Sequence, residues 1–264
     1  MAILADETIT GVDNGPSEMM MPLEACIECA DLDSVRRSVT NALEGGADRV
    51  ELCSNLQADG LTPDAQSIRL ARSIFAQRKG VLAMIRPRAG DFEYSDNELN
   101  IMAQQIAMAA DAGADGIVLG ALRDRQIDEP GLVRLVAEAD HYNLAVTFHR
   151  AFDEVSNRDK ALELLVSKNI QSVLTCGAPL SSGLSALHSV ETINQTITQA
   201  RDRIEVVIGG GLDCDNIPPL LCQLRQADSK VSLHSYSGLL QDGLTATHLV
   251  RRMVGIINQQ FTSV

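Results

Sequence analysis

From Leu23 onward, short apolar segments alternate with longer stretches of helical periodicity, and the cycle recurs eight times. Strands separated by helices run parallel, because each must return past its neighbour through a crossover. The expected strands are Leu23–Cys29, Arg49–Ser54, Val81–Pro87, Gly116–Leu122, Asn143–Arg150, Ser172–Gly177, Arg203–Gly210 and Lys230–Tyr236. Two of the helices close on near-identical phrases, Gly45-Gly46-Ala47-Asp48 and Gly113-Ala114-Asp115-Gly116. Glycine there supplies the left-handed residue that stops a helix before the next strand. Helix starts are marked too: Thr62 before Pro63 reads as an N-cap with proline at the first helical position, and Ser95 with Glu98 as a capping box. Ser156 with Asp159 repeats the signal.

Eight such units either stay open as a doubly wound sheet or close into a barrel. An open dinucleotide-binding sheet wants G-x-G-x-x-G after its first strand, yet that strand runs into Ala30-Asp31-Leu32-Asp33. A G-x-x-x-x-G-K phosphate loop is missing throughout. The expected fold is therefore α/β, a TIM-type (β/α)8 barrel of parallel strands, in one domain over residues 23–264. Residues 1–22 lack periodicity and contain Gly11, Asn14, Gly15 and Pro16, so they read as a flexible N-terminal tail.

A net charge of −13 with only four lysines disfavours nucleic acid and anionic membrane surfaces as partners. No apolar run approaches the ~20 residues of a membrane span. The first twenty residues carry Asp6, Glu7, Asp13 and Glu18 without a basic residue, which is no secretory signal. The expected location is cytoplasmic, where six cysteines stay reduced rather than forming a disulfide framework.

Strand side chains alternate, and the face under the helices must be apolar, so parity sorts inward from outward positions. Leu23, Ala25 and Ile27 face the helices, which turns Glu24, Cys26 and Glu28 inward. By the same rule Glu51, Cys53, Thr147, His149, Ser232 and His234 point in, with Leu82 and Met84 below and Arg86, then Arg88, at the rim. Parity leaves the fourth and sixth strands ambiguous. Cys26-Ile27-Glu28-Cys29 has C-x-x-C spacing, but the odd offset sends its thiols to opposite faces. Cys26 and Cys53 instead face inward from neighbouring strands and could share a soft metal. Glu24, Glu51 and the arginines either neutralise one another across the core or serve a site at the strand C-terminal ends, where this fold places function. Gly209-Gly210-Gly211 offers unobstructed backbone amides, fitting an anion site or a tight turn.

The strand-end phrases are specific. They are Leu23-Glu24-Ala25-Cys26, Gly45-Gly46-Ala47-Asp48-Arg49-Val50-Glu51-Leu52-Cys53-Ser54, Gly60-Leu61-Thr62-Pro63, Met84-Ile85-Arg86-Pro87-Arg88-Ala89-Gly90-Asp91-Phe92 and Thr147-Phe148-His149-Arg150-Ala151-Phe152-Asp153. With the triple glycine, this text resembles the CutC copper-homeostasis family from Leu23 to about Gly211. Cys176 stands where that family usually shows serine, and Leu233-His234-Ser235-Tyr236-Ser237-Gly238 follows its pattern loosely. The resemblance implies a cytoplasmic TIM-type barrel that self-associates, as a homodimer or higher homo-oligomer. It further implies copper handling through Cys26 and Cys53.

Two functions follow. In one the protein binds Cu(I), for which soft thiolates are selective, through Cys26 and Cys53. In the other it is an enzyme, a lyase, isomerase or hydrolase, acting on a small anionic and possibly phosphorylated metabolite. Its catalytic candidates are Glu24, Glu51, Arg86, His149 and Asp153, and its anion donors Arg86, Arg88, Gly209, Gly210 and Gly211. Lys79, Lys160, Lys168 and Lys230 fall in helices or at strand starts, which disfavours a Schiff-base aldolase.

Overall fold

The computed structural model describes residues 21–225 and 230–261, so residues 1–20 of the expected tail lie outside the described residues. The barrel strands are β1 (Leu23–Glu28), β2 (Arg49–Cys53), β3 (Val81–Met84), β4 (Gly116–Leu119), β5 (Ala145–Phe148), β6 (Ser172–Thr175), β7 (Glu205–Ile208) and β8 (Val231–Ser235). All are parallel, and they close in the order β1-β8-β7-β6-β5-β4-β3-β2. Closure joins β1 to β8 with Leu23 opposite Leu233 and Glu24 opposite His234. Each strand is followed by a helix: α1 (Leu32–Gly45), α2 (Ala65–Phe75), α3 (Asp96–Asp111), α4 (Glu129–His141), α5 (Arg158–Ser167), α6 (Val190–Ala200), α7 (Ile217–Gln223) and α8 (Thr247–Phe261).

The alternation of the strands builds two unequal cores. Ala25, Ile27, Val50, Leu52, Ile117, Val146 and Val206 face outward and are sealed by helix residues such as Val35, Val39, Ile68, Met102 and Leu135. Burying each large aliphatic side chain contributes roughly 1.5–3 kcal/mol before entropy is counted. Inside the barrel a smaller apolar cluster is formed by Cys26, Cys53, Leu82, Met84 and Val118. Val118 thereby settles the inward face of the fourth strand.

The observed strands are shorter than expected, chiefly at their C-terminal ends, because the chain leaves the sheet as it reaches the barrel mouth. Arg86 and His149 thus sit just past β3 and β5, and His149 caps a short 3-10 turn over Arg150–Glu154. Leu122 belongs not to β4 but to a small hairpin of Leu122–Arg123 with Gln126–Ile127. The capping box at Ser95 and Glu98 forms as expected. The other two caps shift by one or two residues. Asp64 caps α2 by accepting from the Ser67 amide, while the Thr62 hydroxyl is drawn to the Arg86 amide and Gln105. Asn157 rather than Ser156 caps α5, accepting from the Lys160 amide.

Candidate functional site at the barrel mouth

The lowest charged layer of the barrel is held by its own ion pairs and meets the layer above where Glu24 Oε1 lies 4.0 Å from His234 Nε2. Arg49, two residues before Glu51 and so of the same parity, reaches inward from the start of β2. Its Nε lies 3.0 Å from Glu24 Oε2, its Nη1 2.9 Å from Glu205 Oε2, and its Nη2 donates to Ser232 Oγ at 2.8 Å. Ser172 Oγ donates to Glu205 Oε2 at 2.8 Å. Burial pushes the Glu24 carboxyl up from its ordinary range despite Arg49. Glu24 thus belongs to this ion network and does not line the cavity above it.

That cavity, of about 200 Å³, opens at the C-terminal ends of the strands. It gathers Cys26, Glu51, Cys53, Arg86, His149, Arg150, His234 and Tyr236. Ser172 and Leu174 turn inward on β6, and Leu174 lines the cavity. Glu51 and His234 meet across it, with Nε2 2.7 Å from Oε2. Burial drives His234 down, but the Glu51 charge and hydrogen bonds to Cys26 and Glu51 outweigh it and hold the imidazole well above its ordinary value. Burial likewise works against the Glu51 charge, and His234 more than compensates, leaving the carboxylate below its usual range.

His149 behaves oppositely. Burial, then the Arg86 charge, holds it down to about 3, so the ring is neutral near neutral pH. Its Nδ1 accepts the Ala151 amide at 3.1 Å, which places the ring proton on Nε2. Gly120 makes room for it, since a Cβ there would stand 2.6 Å from the ring. Arg86 is almost wholly buried and donates to the carbonyls of Ala58, Gly60 and Gly90 at 2.6, 3.1 and 2.8 Å. On the residues that line this cavity, three buried polar atoms make no hydrogen bond: Glu51 Oε1, Arg86 Nε and His149 Nε2.

The two inward thiols stand 3.9 Å apart. Two thiolates on one metal at about 2.3 Å each span at most about 4.6 Å, so the pair can close on a single soft ion. Cys26, Glu51 and His234 also present ligand atoms within 4.8 Å of one another. Sulfur and imidazole donors suit Cu(I), and the residues therefore fit it. The hydrogen bond with Cys26, then burial, holds the Cys53 thiol well above its ordinary value, so a metal must displace a proton to bind there. Cys29 stays apart, half-buried against the outer core, its thiol pushed up to about 12 by burial.

Other expected residues lie away from the cavity. Arg88 is engaged by Glu98, Asp91 and the Glu93 carbonyl. Gly209, Gly210 and Gly211 do not line it. Gly210 has φ +111° and passes so close to Cys176 that a Cβ would meet its sulfur at 2.5 Å. Asp153 makes no bond to His149. Its buried carboxylate accepts from Arg150 Nε, Arg158 Nη2, Thr175 Oγ1 and the Cys176 amide, fixing Arg150 at the rim. None of the four lysines reaches the cavity.

A closed parallel eight-stranded barrel with its cavity at the strand C-terminal ends is a TIM-type barrel. The CutC family model matches residues 21–232, and the chain belongs to that family. It is 37% identical over 216 residues to a CutC family protein of Vibrio campbellii, covering 81% of this chain and 82% of the relative. It is 42% identical over 200 residues to the human copper homeostasis protein cutC homolog, covering 75% of this chain and 68% of the relative. A solved structure described as a CutC copper homeostasis protein from Streptococcus agalactiae superposes with a TM-score of 0.70 at 30% identity, over 82% of this chain and 99% of that one. A 3-keto-L-gulonate-6-phosphate decarboxylase from Vibrio cholerae shares the fold alone, at a TM-score of 0.62 and 12% identity over 92% of this chain and 98% of that one. Among the described residues no helix is long and apolar enough to cross a membrane.

Proposed function

We propose that the protein takes part in copper homeostasis by binding Cu(I) at the barrel mouth through Cys26 and Cys53. The observation that carries this reading is the 3.9 Å separation of two inward thiols on adjacent strands, with His234 and Glu51 beside Cys26. The names of the relatives support copper as the cargo. In this reading the protein is cytoplasmic, where its thiols stay reduced, and it self-associates. Both thiols must lose their protons on binding, so uptake strengthens as the pH rises. Competition of the reduced protein against a chromophoric Cu(I) chelator tests it. The Cys26→Ser, Cys53→Ser double variant is expected to lose Cu(I) uptake, and retention of parental affinity would remove these thiols from the site.

A second reading is favoured by a separate observation. Cu(I) held by two thiols has no need of Glu51 Oε1, Arg86 Nε and His149 Nε2, which lie buried and unpartnered in the same cavity. Leaving such atoms unsatisfied costs about 1–3 kcal/mol each. A small polar metabolite recovers that cost, and the mouth then serves as a substrate pocket for an enzyme of the lyase, isomerase or hydrolase class.

A further inference from the structure

Arg150 follows His149 directly and lines the same cavity, yet its surroundings differ from those of Arg86. Its Nε donates to Asp153 Oδ2 at 3.0 Å and its Nη2 to the Ala178 carbonyl at 3.3 Å. Asp153 is itself clamped by Arg158 Nη2 at 2.9 Å and Thr175 Oγ1 at 2.5 Å. The guanidinium is therefore aimed by a rigid buried mount while Nη1 has no protein partner among the described residues, and the side chain keeps 26% of its surface exposed. A cation fixed in direction but left one donor short is suited to an incoming oxyanion.

The floor of the cavity adds the rest of a recognition pattern. His149 Nε2–H and Arg86 Nε–H are two donors, with Phe92 beside both: its ring centroid lies 4.9 Å from that of His149 and 5.1 Å from the Arg86 Cζ. Among the cavity-lining residues described, Glu51 Oε1 is the buried acceptor without a hydrogen bond. The cavity's 200 Å³ falls below the ~300–1,000 Å³ of pockets that enclose drug-sized ligands. We infer that the mouth binds a small hydroxycarbonyl compound carrying one carboxylate or phosphate. The anionic group sits on Arg150, the carbonyl oxygen accepts from His149 and Arg86, and the hydroxyl donates to Glu51. This rests on the substrate-pocket reading and names the chemistry of its ligand; Arg150 sets the preference for a negative charge.

The test uses metal-free, reduced protein with a chelator present, so that copper plays no part. Melting temperature and calorimetric affinity are measured with dihydroxyacetone phosphate, hydroxypyruvate and uncharged dihydroxyacetone. The two anions are expected to raise the melting temperature by about 3 °C or more near saturation, and the neutral compound by less. Comparing the phosphate with the carboxylate shows which anion Arg150 accepts. Arg150→Gln should weaken the anions at least tenfold and leave dihydroxyacetone unchanged, whereas His149→Asn should weaken all three. Arg150→Lys, which keeps the charge without the fork, should fall between. Circular dichroism and the ligand-free melting temperature establish that each variant is folded. If the anions bind the parent but bind Arg150→Gln equally well, the role given to Arg150 is overturned while the pocket remains. If none of the three binds the parent, the ligand class and the substrate-pocket reading fall together.

Discussion

Two layers of charge share the interior of this barrel and are completed differently. In the lower layer Arg49 is ion-paired with Glu24 and Glu205, Ser172 and Ser232 add hydrogen bonds, and the two buried atoms there that make no hydrogen bond, Glu24 Oε2 and Arg49 Nε, face one another at 3.0 Å. In the layer above, Glu51, Arg86 and His149 each keep one buried atom without a partner. Both layers contain a fully buried glutamate and an arginine, although Arg49 and Glu205 below are less buried than Arg86 and His149 above. Buried charge by itself therefore marks nothing about function; a hydrogen-bonding capacity left open toward a cavity does.

The sharpest way to break this contrast is to unbalance the lower layer. Arg49→Met should destabilise the protein by about 3 kcal/mol, since it leaves Glu24 and Glu205 without their counter-charge. Urea denaturation measures this, and a loss under about 1 kcal/mol would mean that the layer is not a closed structural network.

Acid probes the upper layer next. The folded value of His149, about 3, lies below its ordinary 6.5, so the unfolded chain takes the proton more readily. The stability due to its neutral ring is complete above about pH 6.5 and drains away as the pH falls toward 3. Between pH 6.5 and 5 the loss is about 1.5 kcal/mol. Chemical denaturation of the parent and His149→Gln at both pH values should show a shallower acid decline in the variant, and parallel curves would contradict a neutral buried His149. His234 carries the opposite sign: raised by Glu51, its contribution is present below 6.5 and is lost as the pH climbs through its folded value.

Smallest of the three is Ser172→Ala, which removes one hydrogen bond to Glu205 at the base of the barrel. A loss of about 1 kcal/mol is expected, with ligand and copper binding at the mouth unaltered. A change in binding would show that the two layers are coupled.

The barrel was legible because eight repeats of a two-part unit, read through strand parity, leave little freedom in topology. Parity also turned Glu24, Cys26, Glu51, Cys53 and His234 inward without any coordinates. Its reach ends on strands whose run is apolar on both faces. Arg49 carried the signal, standing two residues before Glu51, but its mate Glu205 sits at the start of β7, where runs of Val and Ile hide the alternation. Arg150 was harder still. It follows the strand, and only the fold brings Asp153, Arg158 and Thr175 together to aim it. The hairpin at Leu122–Ile127 has too few residues per strand to show a period.

The seam between β1 and β8, where Leu23 meets Leu233, also determines when the mouth comes into being. Cys26 lies near one end of the folded sequence and His234 near the other, more than two hundred residues apart. During synthesis the thiol side of the mouth emerges first and waits for its imidazole until nearly the whole barrel has been made. The last strand then completes the sheet and the Glu51–His234 pair in a single event. A chain arrested before β8 carries Cys26 on an open edge strand with Cys53 on the strand beside it, so the finished barrel and the finished mouth arrive together or not at all.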